Sequence, residues 1–371
     1  MKKKILFLIH DLHHGGAEKV LVNLVNNMDR SKFDITVMAL FGGGVNEQFL
    51  AEHIRLIVCH KKMIRGNSHI MKLFTPKQLY RYYIKERYDI IVSYLEGPSA
   101  RIVSGCDEPE TKLVTWIHIE QKDSKSSSRS FRSVKEAINC YNRFDTIIGV
   151  SETVKSSFMS ILPVVSPMKV LYNTNESAYI REKANEAVDL SSFTRPELKL
   201  VGVGKLLNSK GFDRMIRILA RLKEDGLDNH LFILGNGPEK DSLVQLAESC
   251  GVSENVTFLG YQTNPYKYVS KCDLFICASH AEGFSTAATE ALIVGTPVCT
   301  VEVSGMKEML GENNEWGIVT DNDDEALYEG MKKLLSDPQL LAYYKERAAE
   351  RGKTFSTENT VKAVENMLLS L

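Results

Sequence analysis

No hydrophobic run in the 371 residues is long enough to cross a membrane as a helix. The longest, such as Ile5-Leu6-Phe7-Leu8-Ile9, are strand-sized, against roughly 18 residues for a span. Nor is a signal peptide expected. Three lysines precede that run, but it meets His10, Asp11 and two more histidines before any h-region or cleavage site can form, so it is expected to be a first buried strand. Paired cysteines are missing as well. The seven, at 59, 106, 140, 250, 272, 277 and 299, contain no C-x-x-C and are odd in number, which argues against a zinc site or a disulfide framework. Reduced, buried thiols in a cytoplasmic protein are the expectation. Short-period repeats and low-complexity tracts are absent too, and net charge is only −1.

That near-zero charge hides an asymmetry. Residues 1 to 175 carry 25 Lys+Arg against 17 Asp+Glu, and the remainder is acidic, so the two halves are expected to face different partners. With 43% apolar and 25% charged residues, the chain is globular and suits two domains.

Strand-like and helix-like segments alternate in two rounds. In the first, residues 3–10, 33–40, 54–58, 88–94, 113–117, 146–150 and 169–171 read as strands. Val20, Leu21, Leu24 and Val25 mark a helix after the first. Residues 176–196 turn polar and lose periodicity, a linker. The second round places strands at 198–203, 230–234, 256–259, 274–278 and 297–301, with helices between and after them. A last amphipathic segment, 356–371, reads as a helix packing back toward the N-terminal domain. The expected architecture is α/β: two doubly wound, Rossmann-like domains, 1–175 and 197–355, facing a central cleft.

Ligands of such sheets sit at strand carboxyl ends, where loops run into helix N-termini. Four turns there stand out. Asp11-Leu-His-His-Gly15-Gly16 lets backbone approach an anion, though it lacks the G-x-G-x-x-G dinucleotide pattern. Gly204-Lys205 through Lys210-Gly211 offers two ammonium groups for a diphosphate. Gly235-Asn236-Gly237-Pro238 is mainly a turn. The fourth is Glu282-Gly283-Phe284-Ser285-Thr286-Ala-Ala-Thr-Glu290. Here a helix N-terminus able to receive phosphate is flanked by two carboxylates able to bind hydroxyls.

EGFSTAATE resembles the E-x7-E motif of retaining GT-B glycosyltransferases, family 4. The resemblance spans the chain, with the glycine loop, W-I-H at 116–118, Y-N at 172–173, G-K-L…K-G, L-G-N-G-P and F-L-G-Y (Phe258 to Tyr261) in the family's order. It implies that Glu282 contacts the donor sugar, Glu290 the ribose, and Lys205 and Lys210 the diphosphate, together with amides at Phe284 to Thr286. It also implies that His118 lies near the leaving group and that Gly16, Gly204, Gly235 and Tyr261 line the donor. Where the family usually has Arg, this chain has Lys205, which cannot grip phosphate with a planar fork. The resemblance further implies a UDP-sugar donor, retention at the anomeric carbon, and a bacterial surface polysaccharide or lipid-linked acceptor. Neither cofactor nor metal is expected. The D-x-D letters Asp321 to Asp323 fall in a loop before a helix, where capping accounts for them.

Residues 61 to 87 hold eight Lys/Arg against one acid. Lys61, Lys62, Arg65 and Lys72, with Glu96, are candidates for acceptor or membrane contact, at the inner face of the membrane. Nucleic acid is not expected, since no nucleic-acid motif accompanies the patch. Residues 122–132 read as a mobile loop that an acceptor could order. Two other functions stay open at this point: a GT-B sugar-nucleotide epimerase, which needs further acid and base groups, and a non-catalytic GT-B subunit.

Overall fold

The computed structural model describes residues 2–13, 15–62, 66–188 and 197–371. Two compact units emerge, Met1–Asn175 with Thr357–Leu371, and Glu176–Ser356.

The first unit runs β1 (Lys3–Ile9), α1 (Gly16–Asn27), β2 (Phe33–Phe41), β3 (Arg55–His60), α2 (Asn67–Met71), α3 (Pro76–Tyr83), β4 (Ile90–Ser93), α4 (Pro98–Val103), β5 (Lys112–Ile117), α5 (Ser124–Ser127), α6 (Val134–Tyr141), β6 (Thr146–Gly149), α7 (Glu152–Ile161) and β7 (Met168–Val170). Its seven strands are all parallel, in the order β3-β2-β1-β4-β5-β6-β7. A parallel sheet covered on both faces needs unbroken apolar strands, and Ile5 to Ile9 of β1 are wholly buried. The signal-like N-terminus is therefore the core of this sheet.

The second unit runs α8 (Ser177–Ala184), β8 (Leu198–Val203), α9 (Phe212–Glu224), β9 (Asn229–Leu234), α10 (Lys240–Ser249), β10 (Val256–Gly260), α11 (Tyr266–Val269), β11 (Leu274–Cys277), α12 (Thr286–Ile293), β12 (Val298–Val301), α13 (Met306–Leu310), β13 (Ile318–Thr320), α14 (Asp324–Ser336) and α15 (Pro338–Thr354). Its sheet, also parallel, has the order β10-β9-β8-β11-β12-β13. Leu200, Leu231, Ile233, Ile276 and Val301 from the strands pack with Ile216, Leu219 and Met331 from the helices.

The final helix α16 (Thr357–Leu369) belongs to the first unit. Glu365 on it accepts from the Asp29 amide at 2.6 Å and pairs with Lys32 at 3.5 Å, while Val364 and Leu368 are buried.

Three expectations change. The stretch expected as a linker opens with α8, whose Ser177, Ile180 and Ala184 are buried. Its Ala184 carbonyl accepts from Ser270 at 3.0 Å. Eight residues with so few apolar positions leave no periodic signal; positions 189–196 lie outside the described residues. Residues 122–132 are not featureless, because Asp123 caps the short helix α5 by accepting from the Ser126 amide. Strand β13 went unread because three residues are too few to show alternation.

Candidate functional site

In both sheets the strand order reverses beside the first strand of the unit, between β1 and β4 and between β8 and β11. Loops at the carboxyl ends of such a pair diverge and leave a crevice for ligand. The glycine loop, the Lys205–Lys210 turn and the 282–290 segment fall at these two points, while His118 follows β5 and Tyr261 follows β10.

In the second unit, β8 ends in Gly204-Lys205 and β11 leads into Ser279 and Glu282. Glycine is required where the loops converge. Gly235 sits at φ +140°, and a Cβ there would lie 1.8 Å from the Gly204 carbonyl oxygen. Gly211, at φ +65°, lies so close to the Ala278 carbonyl that a Cβ would come within 2.0 Å. The second approach brings the loop bearing Lys205 and Lys210 against the β11 loop, where the His280 amide donates to the Ser209 carbonyl at 2.9 Å.

Lys210 Nζ meets Glu282 Oε1 at 2.5 Å, and the buried Ser279 hydroxyl donates to the same oxygen at 2.7 Å. Side-chain exposure is 30% for Lys210 and 12% for Glu282, so the pair is partly shielded from water. Helix α12 starts three residues after Gly283. Its N-cap is Ser285, which accepts from the Ala288 amide at 3.3 Å, while Thr286 opens the helix. That bond satisfies one first-turn amide and leaves the helix start with a positive dipole end. Phe284 is buried in an edge contact with Phe355, centroids 6.2 Å apart. Glu290, one turn on, is buried, and the Tyr266 hydroxyl lies 3.5 Å from its Oε1. Lys205 and Tyr261 are exposed. Lys205, Lys210, Glu282, Ser285 and Glu290 are thus gathered around one loop cluster at the β8–β11 switch. Ser279 was missed from the sequence; the available signal was a polar residue just beyond a strand's carboxyl end.

In the first unit, Gly16 opens α1 and Gly15 precedes it with no side-chain cap. Asp11 accepts from the His13 amide at 2.9 Å and contacts the His10 and His13 rings at 2.6 and 2.9 Å. Burial opposes its charge, but these bonds win and hold its pKa at about 2. His118 follows β5. Its amide donates to Glu96 Oε2 at 3.0 Å, and its ring lies 4.9 Å from the Tyr94 ring. Burial lowers the His118 pKa to about 4 against a weaker opposing hydrogen bond to the Tyr94 main chain, so the imidazole is neutral near pH 7. Its Nε2 is buried with no hydrogen-bond partner among the described residues. Burial likewise pushes Glu96 upward.

The basic tract splits. Lys77 and Arg81 pair with Asp107 at 3.0 and 2.6 Å, and Arg87 with Glu108 at 3.3 Å. Lys61 and Lys62 are exposed, Lys72 is half-buried, and Arg65 lies outside the described residues. The described residues contain no helix long and apolar enough to cross a membrane, and no His, Cys, Asp or Glu group that could hold a metal ion. Asp323 caps α14 by accepting from the Ala326 amide at 2.8 Å.

Two doubly wound parallel units with a lysine-carboxylate cluster before a helix N-terminus define a GT-B glycosyltransferase. Family models agree along most of the chain, "Glycosyltransferase Family 4" over residues 14–174 and "Glycosyl transferases group 1" over 191–351. The chain belongs to this glycosyltransferase family and is a hexosyltransferase. It is 29% identical, over 95% of its length and 96% of the other, to the N-acetylgalactosamine-N,N'-diacetylbacillosaminyl-diphospho-undecaprenol 4-alpha-N-acetylgalactosaminyltransferase of Campylobacter jejuni. It is 24% identical to the lipopolysaccharide core biosynthesis glycosyltransferase LpsD of Rhizobium meliloti, over 98% of this chain and 96% of that one. The crystal structure of Anabaena Alr3699/HepE in complex with UDP superposes with a TM-score of 0.79 at 21% identity, covering 100% of both chains.

Proposed function

We propose that this protein moves a hexose or N-acetylhexosamine from a UDP-sugar to a lipid-linked or glycan acceptor in bacterial surface polysaccharide synthesis, with retention of anomeric configuration and no metal. The observation that carries the reading is the Lys210–Glu282 pair with Ser279, set before the N-terminus of α12 and a turn from the buried Glu290.

As the anomeric C–O bond to the diphosphate breaks, negative charge gathers on the leaving oxygens. Lys205, Lys210 and the amides before α12 are the groups to receive it. Glu282 holds sugar hydroxyls and Glu290 the ribose, while neutral His118 accepts a hydroxyl hydrogen through Nε2. The acceptor oxygen forms the new C–O bond, and glycoside, UDP and one proton are the products. The exposed Lys61 and Lys62 suit peripheral contact with an anionic membrane face.

The test is a panel of UDP-sugars. A ligand at a hundred times its dissociation constant adds about 2.7 kcal/mol of stability, so the correct donor raises the melting temperature. NMR of the same mixtures should show slow hydrolysis or transfer that keeps the α anomer. Accumulation of an epimeric UDP-sugar, or no response to any nucleotide sugar, would refute the proposal.

A further inference from the structure

One cavity in the first unit, where Lys72 meets residues 123–133, lies outside the donor cluster. It has a volume of about 490 Å³ and is lined by Lys72, Lys125, Arg129 and Arg132, with Phe131 and a single acid, Asp123. That size falls within the range of about 300–1,000 Å³ usual for small-molecule sites. Asp123 is already engaged in capping α5. Among the described residues none of the four cations forms an ion pair with a carboxylate, unlike Lys77, Arg81 and Arg87 further along the tract. Four positive groups around one spent acid call for an anion of more than one charge.

Its rim is built rather than loose. The buried Arg101 guanidinium donates to the carbonyls of Met71 and Phe74, both at 2.8 Å. Arg132 donates to those of Lys72 and Leu73 at 2.6 and 3.0 Å. Four successive carbonyls are thus held by two arginines, and two of the five N–H groups of Arg132 are used, leaving three for a ligand. With its backbone fastened, the segment displays Ile70, Leu73 and Phe74 to solvent at 50%, 77% and 47% exposure. A fixed apolar rim beside an unpaired cationic cavity matches an amphiphile with a multiply charged head.

We propose that this cavity receives the diphosphate of a lipid-borne acceptor, with the start of its hydrocarbon chain lying along Ile70, Leu73 and Phe74. The proposal rests on the lipid-linked acceptor of the functional reading. A lipid diphosphate, esterified at one end or at both, carries two or more charges where an ordinary phospholipid carries one, which is why four cations favour it over bulk anionic lipid.

The full chain is tested by flotation with three probes: phosphatidylcholine vesicles carrying farnesyl diphosphate, phosphatidylcholine vesicles carrying phosphatidylglycerol at matched surface charge, and inorganic diphosphate as a soluble competitor. Wild type should prefer the farnesyl diphosphate vesicles, and inorganic diphosphate should displace it. Lys125→Glu with Arg129→Glu should weaken that binding ~tenfold or more. Leu73→Ser should weaken vesicle binding and leave the competitor's own binding, read by calorimetry, in place. Equal binding by the double variant overturns the proposal, as does a preference for phosphatidylglycerol or failure of the competitor. The thermal shift with UDP is the control. If it persists while flotation fails, only this inference falls; if it is lost in wild type, the functional reading falls first.

Discussion

Replacing Lys210 by methionine keeps the aliphatic stem and removes the ammonium, leaving Glu282 with Ser279 as its remaining donor among the described residues. Glu282 is only 12% exposed, so an unpaired charge is left in a shielded place. Breaking a fully buried pair costs about 3–5 kcal/mol. Here Lys210 is 30% exposed and Ser279 persists, so the loss should be on the order of 1–2 kcal/mol. At about 2–4 °C per kcal/mol for a unit of this size, melting should fall by roughly 2–8 °C without ligand. Function should suffer more. An ammonium on a developing diphosphate charge is worth about 1.5–3 kcal/mol, so kcat/KM should fall ~10- to 150-fold. Calorimetry without ligand and initial rates with the donor found by screening give the two numbers. Unchanged melting together with unchanged kcat/KM would refute the reasoning, because the 2.5 Å contact would then carry neither stability nor transition-state charge.

Glu282→Gln releases Lys210 from its carboxylate, so UDP alone should bind several-fold tighter by calorimetry while kcat falls about a hundredfold; weaker UDP binding counts against Glu282 as the competitor for that ammonium. His118, held at about 4 in the folded state against 6.5 when unfolded, takes up protons on unfolding between those values, so stability should fall as pH drops from 6.5 to 4, by at most about 3 kcal/mol. His118→Asn should flatten that slope, and an unchanged slope in denaturant titrations would assign it elsewhere. Gly235→Ala must place a Cβ against the Gly204 carbonyl and should lower stability by more than about 2 kcal/mol in thermal melts. Arg101→Met leaves Glu136, now paired at 2.9 Å, with the Arg132 amide as its donor and frees the Met71 and Phe74 carbonyls, so it should cost about 3 kcal/mol; a near-neutral melt would show the 71–74 segment needs no such clamp.

The fold class was legible because buried parallel strands must be continuously apolar, and residues 3–9, 33–40 and 198–203 carry that mark openly. The E-x7-E segment was legible for a related reason: cap, glycine turn and helix are all local, so Ser285 and Glu290 fall where spacing puts them. Local sequence therefore determined the doubly wound alternation, the α12 helix start and the order of the motifs along the chain. Only tertiary structure decided which charges are spent and which are available. Lys77 and Arg81 pair with Asp107, 30 and 26 residues away, Lys210 is held by Glu282 across 72 residues, and Lys72 joins Arg129 and Arg132 at one cavity. Pairing depends on distances that folding creates between remote residues, and a count of lysines along a stretch contains none of them.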